Sequence, residues 1–180
     1  MSEAIETITL AGGCFWCVEA VFEQLRGVVE VQSGYSNGHA AAPSYEDVCT
    51  GTTGHAEVVQ VRFDPRRLAL ADVLKVFFAT HDPTTRNRQG GDVGTQYRSA
   101  IYFHGEPQRE VIARVLAEAN DELGGRVVTE VEPLANYSPA EAYHQHYFAN
   151  NPNQGYCVAV IGPKIDEFRH VFKDRLAGAA

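Results

Sequence analysis

What most restricts the fold of this 180-residue chain is the order in which two hydrophobic periods follow one another. Glu6-Thr7-Ile8-Thr9-Leu10 alternates as a half-buried strand does, whereas Val18, Val21, Phe22 and Leu25 recur on one face of a helix. Gly27 is a natural helix stop, and Val29-Glu30-Val31 restarts the alternation toward Tyr35. Glu57 to Phe63 alternate again and end at Asp64-Pro65; Val73, Leu74, Phe77 and Phe78 mark a second helix. Ser99 to Phe103 read as a strand, Pro107 opens a helix lined by Val111, Ile112, Val115, Leu116 and Leu123, and Val127 to Val131 give one more strand.

Strand-helix-strand-strand-helix-strand is the order of a ferredoxin-like split β-α-β plait, here extended by an extra helix and strand. The expected class is α+β with a mixed sheet, extra helices and long loops, in one domain over residues 1–180. A chain of this length buries about 70% of the surface its unfolded form exposes, so no covalent staple is required. Ser138-Pro139-Ala140-Glu141 has the pattern of a capping box and predicts a short helix carrying Tyr143, His144 and Tyr147. Ile165, Phe168, Phe172 and Leu176 outline a C-terminal amphipathic helix expected to pack on the core.

Two long polar segments, 36–54 and 81–97, interrupt this pattern. Connections longer than about 12 to 15 residues are uncommon in compact domains and tend to be functional. The net charge of −8 argues against nucleic acid and anionic membranes as main partners. No apolar run approaches the roughly 20 residues that span a bilayer, and residues 1–12 lack a secretory pattern, so a cytoplasmic location is expected. Four cysteines do not make a disulfide scaffold; in a reducing compartment any disulfide here is expected to be transient and catalytic.

The chemistry concentrates at Gly12-Gly13-Cys14-Phe15-Trp16-Cys17, which holds two of the four cysteines and the sole tryptophan. It falls between the first strand and the first helix. Glycines permit a tight turn there, and the unpaired N–H groups of a helix start favour a thiolate, so the Cys14 thiol is expected to be lowered. Cys17, three residues on along the helix, lies within disulfide range of Cys14. Cys49 is expected to be a packing residue. The alternation places Glu57 on the side of Val59, Val61 and Phe63; if that side is the core, burial raises its carboxyl and suits it to general acid work. In the second segment, Asp92 and the arginines Arg86, Arg88 and Arg98 are expected to be scaffold. Seven histidines do not make a metal site: His144, His146 and Cys157 lack ligand spacing, and no second cysteine pair is present.

Over nearly its whole length the chain resembles the A-type peptide methionine sulfoxide reductases. The matching stretches are Gly12 to Cys17, Pro43 to Cys49, Gly51 to Val59, His81 to Ser99, and Ala142-Tyr143-His144-Gln145 leading to Gly155-Tyr156-Cys157. The resemblance implies reduction of methionine S-sulfoxide, free or in oxidised proteins, to methionine, and so a role in protein repair. It implies Cys14 as nucleophile, Phe15 and Trp16 as the pocket for the substrate methyl group, and Glu57 as proton donor to the sulfoxide oxygen. Tyr45 and Tyr97 are implied to help bind that oxygen, with Asp92 a polar member of the site. A Cys14 sulfenic acid would then condense with a second thiol, Cys17 or Cys157, and thioredoxin, or dithiothreitol in vitro, would restore both. No bound cofactor or metal is implied. The competing expectation is a general thiol-disulfide oxidoreductase using Cys14-x-x-Cys17, against which the bulky Phe15-Trp16 pair counts.

Overall fold

The computed structural model describes residues 5–177. In chain order its elements are β1 (Glu6–Gly12), α1 (Phe15–Glu23), β2 (Val28–Ser36), α2 (Tyr45–Cys49), β3 (Ala56–Phe63) and α3 (Leu70–Thr80). There follow the short strands β4 (Arg88–Gln89) and β5 (Asp92–Val93), then β6 (Ser99–Phe103), α4 (Glu106–Glu122), β7 (Glu130–Pro133), β8 (Ser138–Pro139), α5 (Tyr147–Asn150) and α6 (Gly162–Val171).

The main sheet runs β7-β6-β1-β3-β2-β8, and its four central strands reproduce the expected plait. Every pairing is antiparallel except β6 with β7, which is parallel. The period-two pattern explains the layering. Ile8, Leu10, Val59, Val61, Phe63 and Ile101 turn to the face that carries the main core, together with Val18, Val21, Phe22 and Leu25. Alternate positions, among them Ala11, Val58, Ala100 and Tyr102, build a smaller cluster on the other face. Each fully buried Val, Leu or Phe contributes about 1.5–3 kcal/mol, which is why α1 is so firmly seated.

Antiparallel pairing also decides where chemistry is possible. The C-terminal ends of β1 and β2 lie beside the N-terminal ends of β3 and β6, with Gly12 opposite Ser99 and Tyr35 opposite Glu57. Cys14 and both long polar segments therefore meet at one end of the sheet.

Those segments are more structured than their composition predicts. Residues 36–54 contain α2, closed by a reciprocal capping box between Ser44 and Asp47. Residues 81–97 contain the β4–β5 hairpin and a 3₁₀ turn over Thr95–Tyr97. The arginine expectation holds for Arg98, which donates to the carbonyls of Gly54 (3.0 Å) and Thr95 (3.0 Å) and ties both segments together. The box predicted at Ser138–Glu141 does not form, because Ser138 and Pro139 pair with β2 and the Glu141 carboxylate is taken by Tyr35 Oη–H (2.8 Å) and Tyr45 N–H (2.9 Å). The following segment is a 3₁₀ turn, Ala142–His144, and then α5. The strand expected over Val127–Val131 begins later, at Glu130. As expected, the C-terminal helix packs on the core through Ile165 and Phe168. No helix among the described residues is long and apolar enough to cross a membrane.

Candidate active site

Cys14 is the N-cap residue of α1, at the strand-to-helix turn the sequence predicts. The turn needs Gly13: its φ is +95°, and a Cβ there would lie 2.6 Å from Cβ of Gln89 on the β4–β5 hairpin. Cys14 is partly exposed, whereas Phe15 is 1% exposed and Glu57 also 1%. The Glu57 carboxylate oxygen Oε1 accepts the Phe15 N–H at 3.0 Å, which fixes the carboxyl against the start of α1. Burial raises the Glu57 carboxyl to about 8, so it holds its proton at neutral pH.

The thiols reverse the expected order. Phe15 N–H, the first donor of the helix, is occupied by Glu57, and the Trp16 N–H lowers the Cys14 thiol by less than the other influences raise it. The hydrogen bond with Cys17, together with burial, pushes the Cys14 thiol well above its ordinary value. The same hydrogen bond, aided by Lys164, brings Cys17 down to about 7. Within the pair Cys17 is the more acidic thiol and Cys14 the less acidic one. Around them lies a cleft of about 270 Å³, lined by Cys14, Cys17, Gln89, Asp92, Tyr156 and Lys164 among others. Tyr156 Oη–H donates to Asp92 Oδ2 (2.7 Å) and lies 3.7 Å from Cys17 Sγ, so one hydroxyl faces two acceptors. Asp92 is thus a member of this cleft rather than plain scaffold.

Tyr45 and Tyr97 come to the same end of the sheet. Burial raises both phenols, and the Glu57 charge adds to that in each case, so they remain protonated donors beside the carboxyl. Phe15 stacks on Tyr45 (6.3 Å between centroids, 18°) and tilts against Tyr35 and His144. Trp16 is sandwiched by partners far away in sequence. Tyr147 stacks on it at 3.8 Å and 7°, Tyr156 meets it edge-on at 5.9 Å, and its Nε1–H donates to His144 Nδ1 at 3.0 Å. That bond fixes the tautomer of His144, whose Nε2 then carries the hydrogen. The result is an apolar aromatic wall next to a thiol and a protonated carboxyl.

The sequence reading brought together Cys14, Phe15, Trp16, Cys17, Tyr45, Glu57, Asp92 and Tyr97, and it missed His144, Tyr147, Tyr156 and Lys164. The aromatic density of 143–156 was the available signal. One cysteine falls elsewhere than expected. Cys49 is exposed at the end of α2 instead of packed in the core. Cys157 starts a π-helical turn, Cys157–Ile161, and is fully buried. His55 and His81 have both ring nitrogens engaged and stand as framework: His55 with Gly38 N–H and the Ala40 carbonyl, His81 with the Phe77 carbonyl and Ser99 Oγ. Among the described residues, Glu19, Glu23 and His146 bring three possible metal-binding atoms within 4.8 Å, but backbone N–H groups already occupy the Glu19 oxygens.

Comparison with known proteins agrees with this geometry. Residues 6–176 match the family model of peptide methionine sulfoxide reductase. The peptide methionine sulfoxide reductase MsrA of a Thermus thermophilus strain is 53% identical over 171 residues, covering 95% of this chain and 97% of the relative. Among solved structures, Mxr1 of Saccharomyces cerevisiae in its reduced form superposes with a TM-score of 0.79 at 37% identity, over 85% of this chain and 89% of that one. Mxr1 in complex with Trx2 matches with a TM-score of 0.56 at 27% identity, over 79% and 84%. The chain therefore belongs to the A-type peptide methionine sulfoxide reductase family and is an oxidoreductase acting on methionine sulfoxide.

Proposed function

We propose that the enzyme reduces the S epimer of methionine sulfoxide, free or in oxidised proteins, through a Cys14 sulfenic acid, and that it thereby repairs oxidised protein. The observation that carries this reading is the Glu57 carboxyl buried against the helix start that presents Cys14, where burial raises it to about 8 and favours its protonated form. A sulfoxide oxygen leaves sulfur poorly unless it is protonated, and an ionised carboxylate could not supply that proton.

Cys14 Sγ attacks the substrate sulfur and passes its own proton to the Cys17 thiolate. Glu57 delivers a proton to the oxygen, with Tyr45 and Tyr97 donating hydrogen bonds to it. The oxygen ends on Cys14 as a sulfenic acid, methionine leaves reduced by two electrons, and Glu57 remains ionised until solvent reprotonates it. Phe15 and Trp16, backed by His144 and Tyr147, hold the methyl group; Asp92 and Tyr156 form the polar side. Cys17 then attacks the Cys14 sulfur, water departs and a disulfide forms. Cys17 is favoured over Cys157 because it already shares a hydrogen bond with Cys14 and is the more acidic thiol, whereas Cys157 is enclosed in its π-helical turn. A thioredoxin dithiol restores both cysteines, as the Mxr1–Trx2 neighbour suggests, and dithiothreitol substitutes in vitro. The cycle needs no bound cofactor or metal.

Separated S and R epimers, assayed with a thioredoxin system, test the reaction; turnover confined to the R epimer overturns it. Cys14→Ser should abolish reduction. Cys17→Ser should complete one turnover and fail to recycle, while Cys157→Ser should recycle normally. The opposite pattern in the last two would assign resolution to Cys157.

A further inference from the structure

The aromatic wall is held by a carboxylate that is not part of it. Glu19 lies on α1 one helical turn after Trp16, buried to 1% exposure. A carboxylate in that position requires donors. Its Oε2 accepts the His146 N–H at 2.9 Å and its Oε1 the Tyr147 N–H at 3.2 Å. These are the first N–H groups of α5, a four-residue helix too short to organise itself. His146 is held in a left-handed conformation (φ 55°, ψ 37°), which costs a non-glycine residue energy, and its Nδ1 is bonded to Glu23 one turn further along α1. The residues beside this clamp are the ones that meet Trp16: His144 by its hydrogen bond, Tyr147 by its ring. One helix thus carries both the indole and the anchor for the ring laid against it.

We infer that Glu19 is a positioning residue for substrate binding: by bonding the backbone of His146 and Tyr147 it sets the Tyr147 ring against Trp16 and so determines how tightly a methyl sulfoxide is held over Cys14. This rests on the methyl-pocket reading above. Glu19 touches no reacting atom. Its substitution should change binding and leave thiol chemistry alone, because β1 and the first turn of α1 place Cys14.

Trp16 is the only tryptophan in the chain, so intrinsic emission reports the stack directly. Glu19→Gln keeps the size but sets an amide against one of the two N–H groups; Glu19→Ala removes both acceptors. Loss of one of the two hydrogen bonds predicts that Glu19→Gln raises KM for the S-sulfoxide about fivefold, with kcat nearly unchanged and a larger rise for Glu19→Ala. Trp16 emission should change in both variants, and alkylation of the Cys14–Cys17 thiol pair by iodoacetamide should keep its wild-type rate. If Glu19→Gln has wild-type emission and KM, or if kcat and alkylation fall together at constant KM, the inference is wrong, and Glu19→Gln decides this even if Glu19→Ala does not fold. Wild-type protein inactive on both epimers would instead refute the pocket reading and take this inference with it.

Discussion

Replacing Glu57 by glutamine should abolish sulfoxide reduction and at the same time make the folded protein more stable in alkali. The carboxyl moves from an ordinary 4.5 to about 8 on folding because it is fully buried. A carboxyl whose folded pKa is raised is fully compatible with the native state below the unfolded value, and it destabilises that state increasingly as pH rises toward the folded value. Between about pH 5 and 8 the native state therefore loses about 1.4 kcal/mol per pH unit from this group alone. Carried from 4.5 to 7, the penalty is about 3 kcal/mol; beyond pH 9 it levels off near about 5 kcal/mol. Glutamine has no ionisation to suppress, and its amide oxygen can still accept the Phe15 N–H. Urea unfolding of wild type and Glu57→Gln under reducing conditions at pH 5, 6, 7 and 8 should show a stability difference that grows with pH in favour of the variant. The amide itself adds an offset, but that offset is independent of pH. A difference that stays constant across the four pH values would refute the claim that Glu57 is protonated in the folded protein, and with it the proton-donor role.

Three further outcomes follow from the geometry. Gly13→Ala should destabilise the protein by about 1–3 kcal/mol and reduce activity, since a non-glycine residue at that φ is strained and its Cβ meets Gln89; thermal unfolding checks the first part and a dithiothreitol-supported assay the second. Ser44→Ala removes the capping box of α2 and should cost about 1 kcal/mol, and because α2 begins at Tyr45 a measurable loss of activity should accompany it. Tyr156→Phe deprives the Cys17 thiolate of a hydroxyl donor, so the Cys17 pKa should rise above about 7; thiolate absorbance at 240 nm followed against pH measures the shift, and an unchanged midpoint would remove Tyr156 from the thiol system.

Local pattern determined a good deal of this protein. Two-residue alternation in 57–63 was enough to put Glu57 on the side of Val59, Val61 and Phe63, though not to say that this side is buried at the strand end, and the change of period at Gly12–Cys17 was enough to put Cys14 at a helix start. Both are statements about which way a side chain points within one element, and periodicity encodes that. The order of strands and helices likewise implied the four-strand plait, because few sheets accommodate it. What the sequence could not reveal depends on distant segments meeting. Glu141 looked like a helix cap and instead serves Tyr35 and Tyr45, because β8 pairs with β2. The acidity of the two thiols is set by their mutual hydrogen bond, by Glu57 on another strand and by Lys164 near the far end of the chain, and these outweigh the helix start that the local sequence advertises. Trp16 acquires its partners from residues about 130 positions later, and the carboxylate that anchors them, Glu19, was indistinguishable in sequence from any other glutamate on a helix. Direction along an element is a short-range property written in the residue pattern; charge state and contact are long-range properties, fixed only when the folded chain decides which groups share a dry space.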